Sequence, residues 1–393
     1  MKRTNGKIDF IIFGEGNYHT LGVLHCMAAK GINAYLLLVG SGKRLLEGEV
    51  VGYSKYARYG HSVQTIEEGV EWLLTHQMDF PQGTIVFPTS DWVETKLDCN
   101  YDALKAHYIF PNCGEQGRVT HYMDKALQDT IAMQHGIRTL KSVYTNTSDC
   151  DLEKMIYPCM VKPLVSVNGS KEDMRVCTNR QELDEALAAA KHTTEFVIQQ
   201  YIQNESDLLL LGISLPNGEV WTPSLVRKPE VSGTGEYTYA FVTTDIAAHL
   251  PEIDKVRDFI KALDYVGPFS VEFGVEKGQN YFFEINLRND GTSHYPLASG
   301  VNIAYVYYRA CKGQLTADDM CYEQGEFPMI DEVLDIRRVL YRELSFSEWF
   351  RFLRSAKAFQ HYVPFDKRVA FLLIPFFVSR VWSKIWRSLF KRS

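Results

Sequence analysis

Apolar residues fall along this chain in two different rhythms. Up to residue 115, short continuous apolar runs alternate with longer amphipathic stretches. The runs "IDFIIFG" (8–14), "INAYLLLVG" (32–40), "TIVFPTS" (84–90) and "HYIFPN" (107–112) are too short for buried helices and lack polar alternation. They predict strands covered on both faces. A helix starting at His19 and helical stretches at 67–77 and 91–106 lie between them. Strand–helix alternation implies a parallel sheet with crossover helices, so residues 1–115 read as a doubly wound α/β unit.

From residue 124 the rhythm changes. "DKALQDTIAMQHG" predicts a helix stopped by Gly136. Next come a strand in "YPCMVKPL", a loop "VSVNGSK", a strand "RVC", a helix over 180–191 and a strand in "FVIQQYI". Segments 208–214, 219–227 and 237–244 predict antiparallel strands, followed by a helix in "IDKVRDFIKALD". Elements that mix rather than alternate suit an α+β arrangement.

The stretch "GPFSVEFGVEKGQNYFFEINLRNDGTSHY" (267–295) predicts a hairpin with an unusual polar row. Side chains alternate across a strand, so Ser270, Glu272 and Gly274 share one face while Phe269, Val271 and Phe273 share the other. In the second strand Phe282, Glu284, Asn286 and Arg288 share a face opposite Tyr281, Phe283, Ile285 and Leu287. A turn centred on Gly278 sets Glu272 directly opposite Glu284, about 5 Å apart. Facing carboxylates repel unless a cation sits between them or one holds a proton. Glu, Glu and Asn offer oxygen donors only, which suits Mg²⁺ or Mn²⁺ bound together with substrate phosphates.

Composition narrows the field without naming a function. The chain has 393 residues, 46% hydrophobic and 23% charged, enough for two or three folded units. Its net charge of −6 gives no reason to expect a nucleic-acid partner. The eight cysteines stand singly, with no CxxC and no zinc-like Cys/His spacing, and read as reduced cytosolic thiols. "GEGNYH" lacks the third glycine of a dinucleotide fingerprint, and "GSGKR" lacks the spacing and the Ser/Thr of a P-loop. The apolar run at the N-terminus is too short for a signal peptide.

The hairpin "VEFGVEKGQNYFFEINLR" resembles the metal-binding hairpin of ATP-grasp ligases: a Glu on one strand, then E-x-N-x-R on the next. That resemblance implies that Glu272, Glu284 and Asn286 hold Mg²⁺ against the phosphates of ATP. It also implies that Arg288 faces the transferring phosphate. Upstream, Lys125 and Lys162 match the two lysines of the family. Ser166, Gly169 and Ser170 fall in its phosphate-covering loop, Gln200, Tyr201 and Ile202 at its adenine hinge, and Glu205 at the ribose. Two departures are visible: Gln200 stands where a glutamate is common, and the covering loop has a single glycine. By the same resemblance, 1–115 is a pre-ATP-grasp α/β domain, 116–205 a lid-bearing subdomain and 206–335 a metal-bearing catalytic subdomain, both α+β. The implied activity joins a small carboxylate to an amine through an acyl phosphate, in the branch that includes D-aspartate ligases and carbamoyl-phosphate-synthase-like ligases. Arg227 is a candidate second clamp for a carboxylate or phosphate.

Residues 336–393 predict a helical, amphipathic C-terminal extension. Eleven Lys/Arg against three acids over 341–393 give the tail +8 and leave −14 on the body. "SFSEWFRFLRSAKAF" opens with a Ser345/Glu348 capping box. At helical spacing Phe371, Ile374, Val378, Val381, Trp382, Ile385 and Leu389 line one face and Arg380, Ser383, Lys384, Arg387 and Lys391 the other. Cations at this density oppose a spanning helix and favour one lying in the membrane interface. The tail therefore predicts a peripheral protein on the cytoplasmic membrane face, anchored through 369–393, whose acceptor could be a lipid-linked cell-envelope precursor. The alternatives are a soluble amide or dipeptide ligase whose tail is a homodimer contact, and a nucleotide-binding scaffold without turnover.

Overall fold

The computed structural model of the chain describes residues 8–40, 50–145, 151–164, 174–190, 195–229, 239–332, 335, 338–339 and 344–372. Sixteen strands in these residues form three sheets.

The first sheet contains β1 (Phe10–Gly14), β2 (Tyr35–Val39), β3 (Tyr59–Val63), β4 (Thr84–Pro88) and β5 (Tyr108–Ile109), all parallel, in the order β3-β2-β1-β4-β5. The central strands β1 and β4 are buried along their whole length, as continuous apolar runs require. Strand β3, "YGHSV", is an edge strand of mixed polarity that no apolar run announces. The order reverses between β1 and β4, so the loops leaving these two strands lie side by side at the carboxyl edge, the usual ligand crevice of such sheets. Thr20 Oγ1, in the first turn of helix Tyr18–Ala28, and Thr89 Oγ1, just after β4, lie 2.9 Å apart and tie the two crossings together.

The four-stranded sheet holds β6 (Ser142–Tyr144), β7 (Cys159–Pro163), β8 (Arg175–Cys177) and β9 (Phe196–Gln200) in the order β6-β9-β7-β8. The seven-stranded sheet is built from β10 (Ser206–Ser214), β11 (Val220–Pro229), β12 (Tyr239–Thr243), β13 (Gly267–Glu276), β14 (Gln279–Asn286), β15 (Glu326–Ile330) and β16 (Ala358–Phe359), ordered β14-β13-β10-β11-β12-β15-β16. One face packs on helix Ile253–Ala262, where Val256, Phe259 and Ile260 meet Leu208, Leu210, Leu225, Val271, Phe273 and Phe282. The other face meets the N-terminal α/β unit and helix Ile303–Cys311.

The C-terminal segment is not a free appendage. Helix Phe346–Ser355 opens with the expected reciprocal Ser345/Glu348 box. β16 then pairs in parallel with β15, and Val369 is fully buried. Buried Asp366 accepts hydrogen bonds from Ser54 Oγ and, at 3.4 Å, from the Lys55 amide, and lies 3.2 Å from His25 Nε2, which locks this segment onto the α/β unit. Of the amphipathic stripe only Phe371 is described; the remainder, from Ile374 onward, lies outside the described residues, as does "GSGKR" beyond Gly40.

Candidate functional site: a carboxylate hairpin under two lysines

The site begins with strand parity. Glu272 on β13 pairs with Leu209 on β10 and with Glu284 on β14, so the two glutamates are cross-strand neighbours. The turn occupies Lys277 and Gly278, both at positive φ (52° and 68°), the signature of a two-residue type I′ hairpin. It is thus centred half a residue before Gly278, and a bulge between Glu272 and Phe273 restores the register that sets Glu272 opposite Glu284. The same bulge overturns strict alternation. Phe282 turns into the core against Phe259 and Phe273, leaving the polar row to Glu284, Asn286 and Arg288. Phe283 lies over Gly274, where an added Cβ would stand 2.2 Å from its ring, so a larger residue there would displace Phe283.

Helix Lys125–Gln134 brings the first lysine. Asp124 caps it by accepting from Leu127 N at 2.9 Å. The Gln128 side-chain amide then donates to Ile285 O at 3.0 Å and accepts from Ile285 N at 3.1 Å, stitching the helix onto the free edge of β14. Lys125 Nζ consequently sits 2.9 Å from Glu284 Oε2. Lys162 projects from β7 with its ammonium 6.0 Å from the Phe283 ring centroid. Burial and the Lys125 charge push Lys162 down to about 8. Burial alone would raise Glu284, but Lys125 and Lys162 outweigh it and hold the carboxyl well below its ordinary range. Glu272 moves the other way, pushed up to about 7 by burial and by Glu284 across the hairpin. Asn286 Nδ2 lies 3.5 Å from Glu272 Oε1 and completes an all-oxygen donor set of the kind a hard divalent cation takes.

Arg288 ends the row, and the α/β unit holds it. Asp91, the first residue of helix Asp91–Asp98, accepts from Arg288 Nε at 2.5 Å and from Nη2 at 3.1 Å, a bidentate fork. Asp290 lies 3.8 Å from the same guanidinium. Burial would lower the Arg288 pKa, but the two aspartates raise it above the usual arginine value. Asp290 also accepts from Thr292 N at 2.8 Å and Oγ1 at 2.6 Å. Burial pushes Asp290 up, yet Arg288 and His19 hold it below the usual aspartate range. His19 lies in the first turn of helix Tyr18–Ala28, which follows β1, and burial pushes its pKa below the ordinary histidine value. It packs with Tyr18 so closely on Gly291 that a Cβ there would fall 2.6–2.8 Å from the two rings.

Other expected positions divide clearly. Ile202 is buried beside the hinge, Gln200 N donates to Lys141 O at 2.8 Å, and Tyr201 is exposed, its amide donating to Pro158 O. Glu205 points away from the glutamates: its Oε1 accepts from Lys277 N at 3.0 Å and fastens the hairpin tip. Arg227 pairs with Leu208 and so takes the helix-packed face of the sheet. There its Nη2 lies 3.1 Å from Glu326 Oε1, and the guanidinium lies over the Phe241 ring. The structure therefore separates Arg227 from Glu272 and Glu284. Ser166, Gly169 and Ser170 lie outside the described residues.

Sequence reasoning chose Arg227 over its neighbour Lys228 and so passed over the other half of the same grid. Asp207 pairs with Gly274 on one side and Lys228 on the other, one pleat along from Leu209 and Glu272, on the Glu272 face. Lys228 is 8% exposed and draws the neighbouring carboxyls of Glu272 and Asp207 downward against burial. Asp91, Tyr18 and His19 were also missed as site residues. The signal for Lys228 and Asp207 was the register of β10, which no pattern within β10 or β11 states.

Comparison with known proteins agrees with this geometry. Residues 130–302 match the family model of the ATP-grasp domain. The chain carries an ATP-grasp domain. It is 29% identical over 192 residues to the formate-dependent phosphoribosylglycinamide formyltransferase of Bacteroides thetaiotaomicron. That match covers 46% of this chain and 48% of the relative, so the chain spans about half the length of the curated relatives it matches. In fold it is similar to N5-carboxyaminoimidazole synthetase of Staphylococcus aureus (TM-score 0.65, 16% identity, 88% of this chain and 89% of that one). It is also similar to an L-amino acid ligase of Bacillus licheniformis (TM-score 0.61, 18% identity, 84% and 80%). The ATP-grasp domain matched by the family model begins within the lysine helix and runs through the glutamate hairpin.

Proposed function

We propose that this chain is an ATP-dependent ligase that joins a small carboxylate to an amine, releasing ADP and phosphate. The observation that carries the reading is the Glu272/Glu284 pair, two carboxylates set face to face with Asn286 beside them and two lysine ammonium groups above. Such a pair is destabilising by itself and becomes favourable once a cation is shared. Glu272, Glu284 and Asn286 would hold Mg²⁺, or Mn²⁺. When bound, the ion supplies charge neutralisation between the phosphate oxygens of ATP. Lys125 and Lys162 bind the phosphates, the hinge at 200–202 takes the base, and Arg288 faces the transferring phosphate. Asp207 and Lys228, on the Glu272 face of the sheet, take the ribose and phosphate side in place of Glu205 and Arg227.

The chemistry follows in two balanced steps. A carboxylate oxygen attacks the γ-phosphorus and ADP leaves, giving an acyl phosphate. The amine then attacks the acyl carbon, the C–N bond forms, and phosphate departs with the bonding pair and takes up the proton the amine loses. Such a reaction needs positioning and charge stabilisation more than a protein nucleophile. The acceptor amine would sit between Asp290 and the first turn of helix Tyr18–Ala28, where the Asp290 carboxylate and the His19 imidazole can orient it. Formate in the relative's name is itself a carboxylate, and the L-amino acid ligase shares the fold; both support a carboxylate–amine reaction.

The test is Mg²⁺-dependent ADP release with a panel of small acids and amines, with Glu284→Ala as control. Turnover for one acid–amine pair, lost in the variant, supports the reading. ATP binding with no turnover for any pair, membrane extract included, would favour the scaffold.

A second reading concerns location. Helix Phe346–Ser355 exposes Phe346 (66%) and Phe350 (47%) beside Arg351 and Arg354, and Phe371 is 64% exposed near Lys367 and Arg368. Exposed rings among cations suit an anionic membrane interface on the cytoplasmic side. Among the described residues no helix is long and apolar enough to cross a membrane. Co-sedimentation of the full chain with anionic liposomes, against Phe346→Ser/Phe350→Ser, tests this. A soluble ligase with a homodimer contact would leave the liposomes unbound and run as a dimer.

A further inference from the structure

The parallel pairing of β15 with β16 does more than extend the sheet. Met329 pairs with Ala358 and Ile330 with Phe359, and Gln360 N donates to Ile330 O at 3.1 Å. Two chains therefore leave the same sheet edge side by side, one as Asp331–Glu332 and the other as Gln360–His361. Glu332 is fixed by three backbone amides: Oε2 accepts from Gln360 N at 2.9 Å, and Oε1 from His361 N at 2.9 Å and Tyr362 N at 2.8 Å. That leaves an unused lone pair on Oε2.

His361 supplies the independent observation. The residue is 6% exposed, and its Nδ1 has no hydrogen-bond partner. Yet Nδ1 points at Glu332 Oε2 from 3.8 Å, too far for a hydrogen bond. An unpaired buried ring nitrogen is costly. With metal–ligand bonds of about 2.0–2.2 Å, a gap of 3.8 Å corresponds to a ligand–metal–ligand angle of about 130°. Among the described residues, this is the group in which three His or carboxylate ligand atoms lie within 4.8 Å of one another.

We propose that Asp331, Glu332 and His361 form a transition-metal site, separate from the hairpin glutamates. One imidazole nitrogen with two carboxylates suits Zn²⁺, Co²⁺ or Fe²⁺ better than Mg²⁺. The ion bridges the ends of β15 and β16 and fixes the segment carrying Gln360, whose Oε1 accepts the Tyr295 hydroxyl. It thereby secures the C-terminal segment next to the acceptor side of the cleft.

The experiment uses the full chain, stripped with chelator, in a Glu272→Gln/Glu284→Gln background that removes the hairpin donors. Co²⁺ is titrated and followed by visible d–d absorption, then displaced with Zn²⁺. One equivalent of Co²⁺ should bind, be displaced by Zn²⁺, and raise the thermal midpoint. His361→Gln and Asp331→Asn in that background should each weaken binding at least about tenfold in the folded protein. If His361→Gln does not fold, Asp331→Asn decides alone, because Asp331 caps none of the 360–362 amides. Absence of Co²⁺ binding in the background protein, or undiminished affinity in the folded variants, overturns the site.

Discussion

The facing glutamates make one prediction that separates folding from function. Replacing Glu272 by Gln removes the carboxyl that burial and Glu284 push up to about 7 from an ordinary 4.5. A pKa held up in the folded protein means that the native state keeps a proton the unfolded chain has released. Stability from this group is complete below about pH 4.5 and is lost as pH rises through about 7. The loss at pH 8 has a ceiling of ~3 kcal/mol, and water reaching the hairpin brings it nearer to ~1 kcal/mol. Without metal or nucleotide, Glu272→Gln should therefore melt higher than the parent at pH 8. At about 2–4 °C per kcal/mol, the gain is several degrees, shrinking to nothing near pH 5. Adding Mg²⁺ and ADP should reverse the order, since only the parent keeps both carboxylates for the cation. Differential scanning fluorimetry over pH 5–8.5, with and without Mg²⁺–ADP, reads all of this. A variant that melts lower than the parent at pH 8 without metal, or a difference that ignores pH, would refute the electrostatic account of the hairpin.

Three further outcomes follow from the same grid. Asp91→Asn removes the fork that holds Arg288, so kcat should fall about a hundredfold (~3 kcal/mol) while the KM for ATP moves less than about threefold; steady-state ADP release separates the two. Lys162 is pushed down to about 8, so in the free protein its ammonium is lost as pH rises through that value. Affinity for ADP, measured by calorimetry at constant ionic strength, should weaken between pH 7 and 9, and Lys162→Met should flatten that dependence. Finally, Lys228→Met should cost turnover at least about tenfold, while Arg227→Met, on the opposite face, should stay within about threefold of the parent; equal losses would show that sheet parity does not decide which cation serves the site.

How much of this was legible from residues alone depends on whether a position is set locally or by register. The two rhythms of apolar residues led to a parallel sheet before residue 115 and antiparallel strands after it, because burial on both faces and on one face leave different patterns. The glutamates could be paired because a hairpin turn fixes its own register within a few residues. Even so, the correct pair was reached through a turn misplaced by half a residue and a bulge that compensated for it. Phe282, assigned to the polar row, shows the limit: one extra residue moves every side chain beyond it to the other face.

Arg227 and Lys228 carry the argument furthest. They are adjacent, both cationic, and both on β11, so composition and pattern treat them alike. Only the pairing of β11 with β10, and of β10 with β13, decides which of them looks toward Glu272. That pairing spans more than forty residues of chain from Arg227 to Glu272 and depends on how helix Ile253–Ala262 claims one face of the sheet. The helix takes Leu208, Leu210 and Leu225, and by alternation Arg227 goes with them to end beside Glu326, while Asp207 and Lys228 are left for the cleft. The selection of the site cation is thus a by-product of packing on the far side of the sheet. For the same reason Asp91, which anchors Arg288 from nearly two hundred residues away, could be found only once the α/β unit was set against the hairpin.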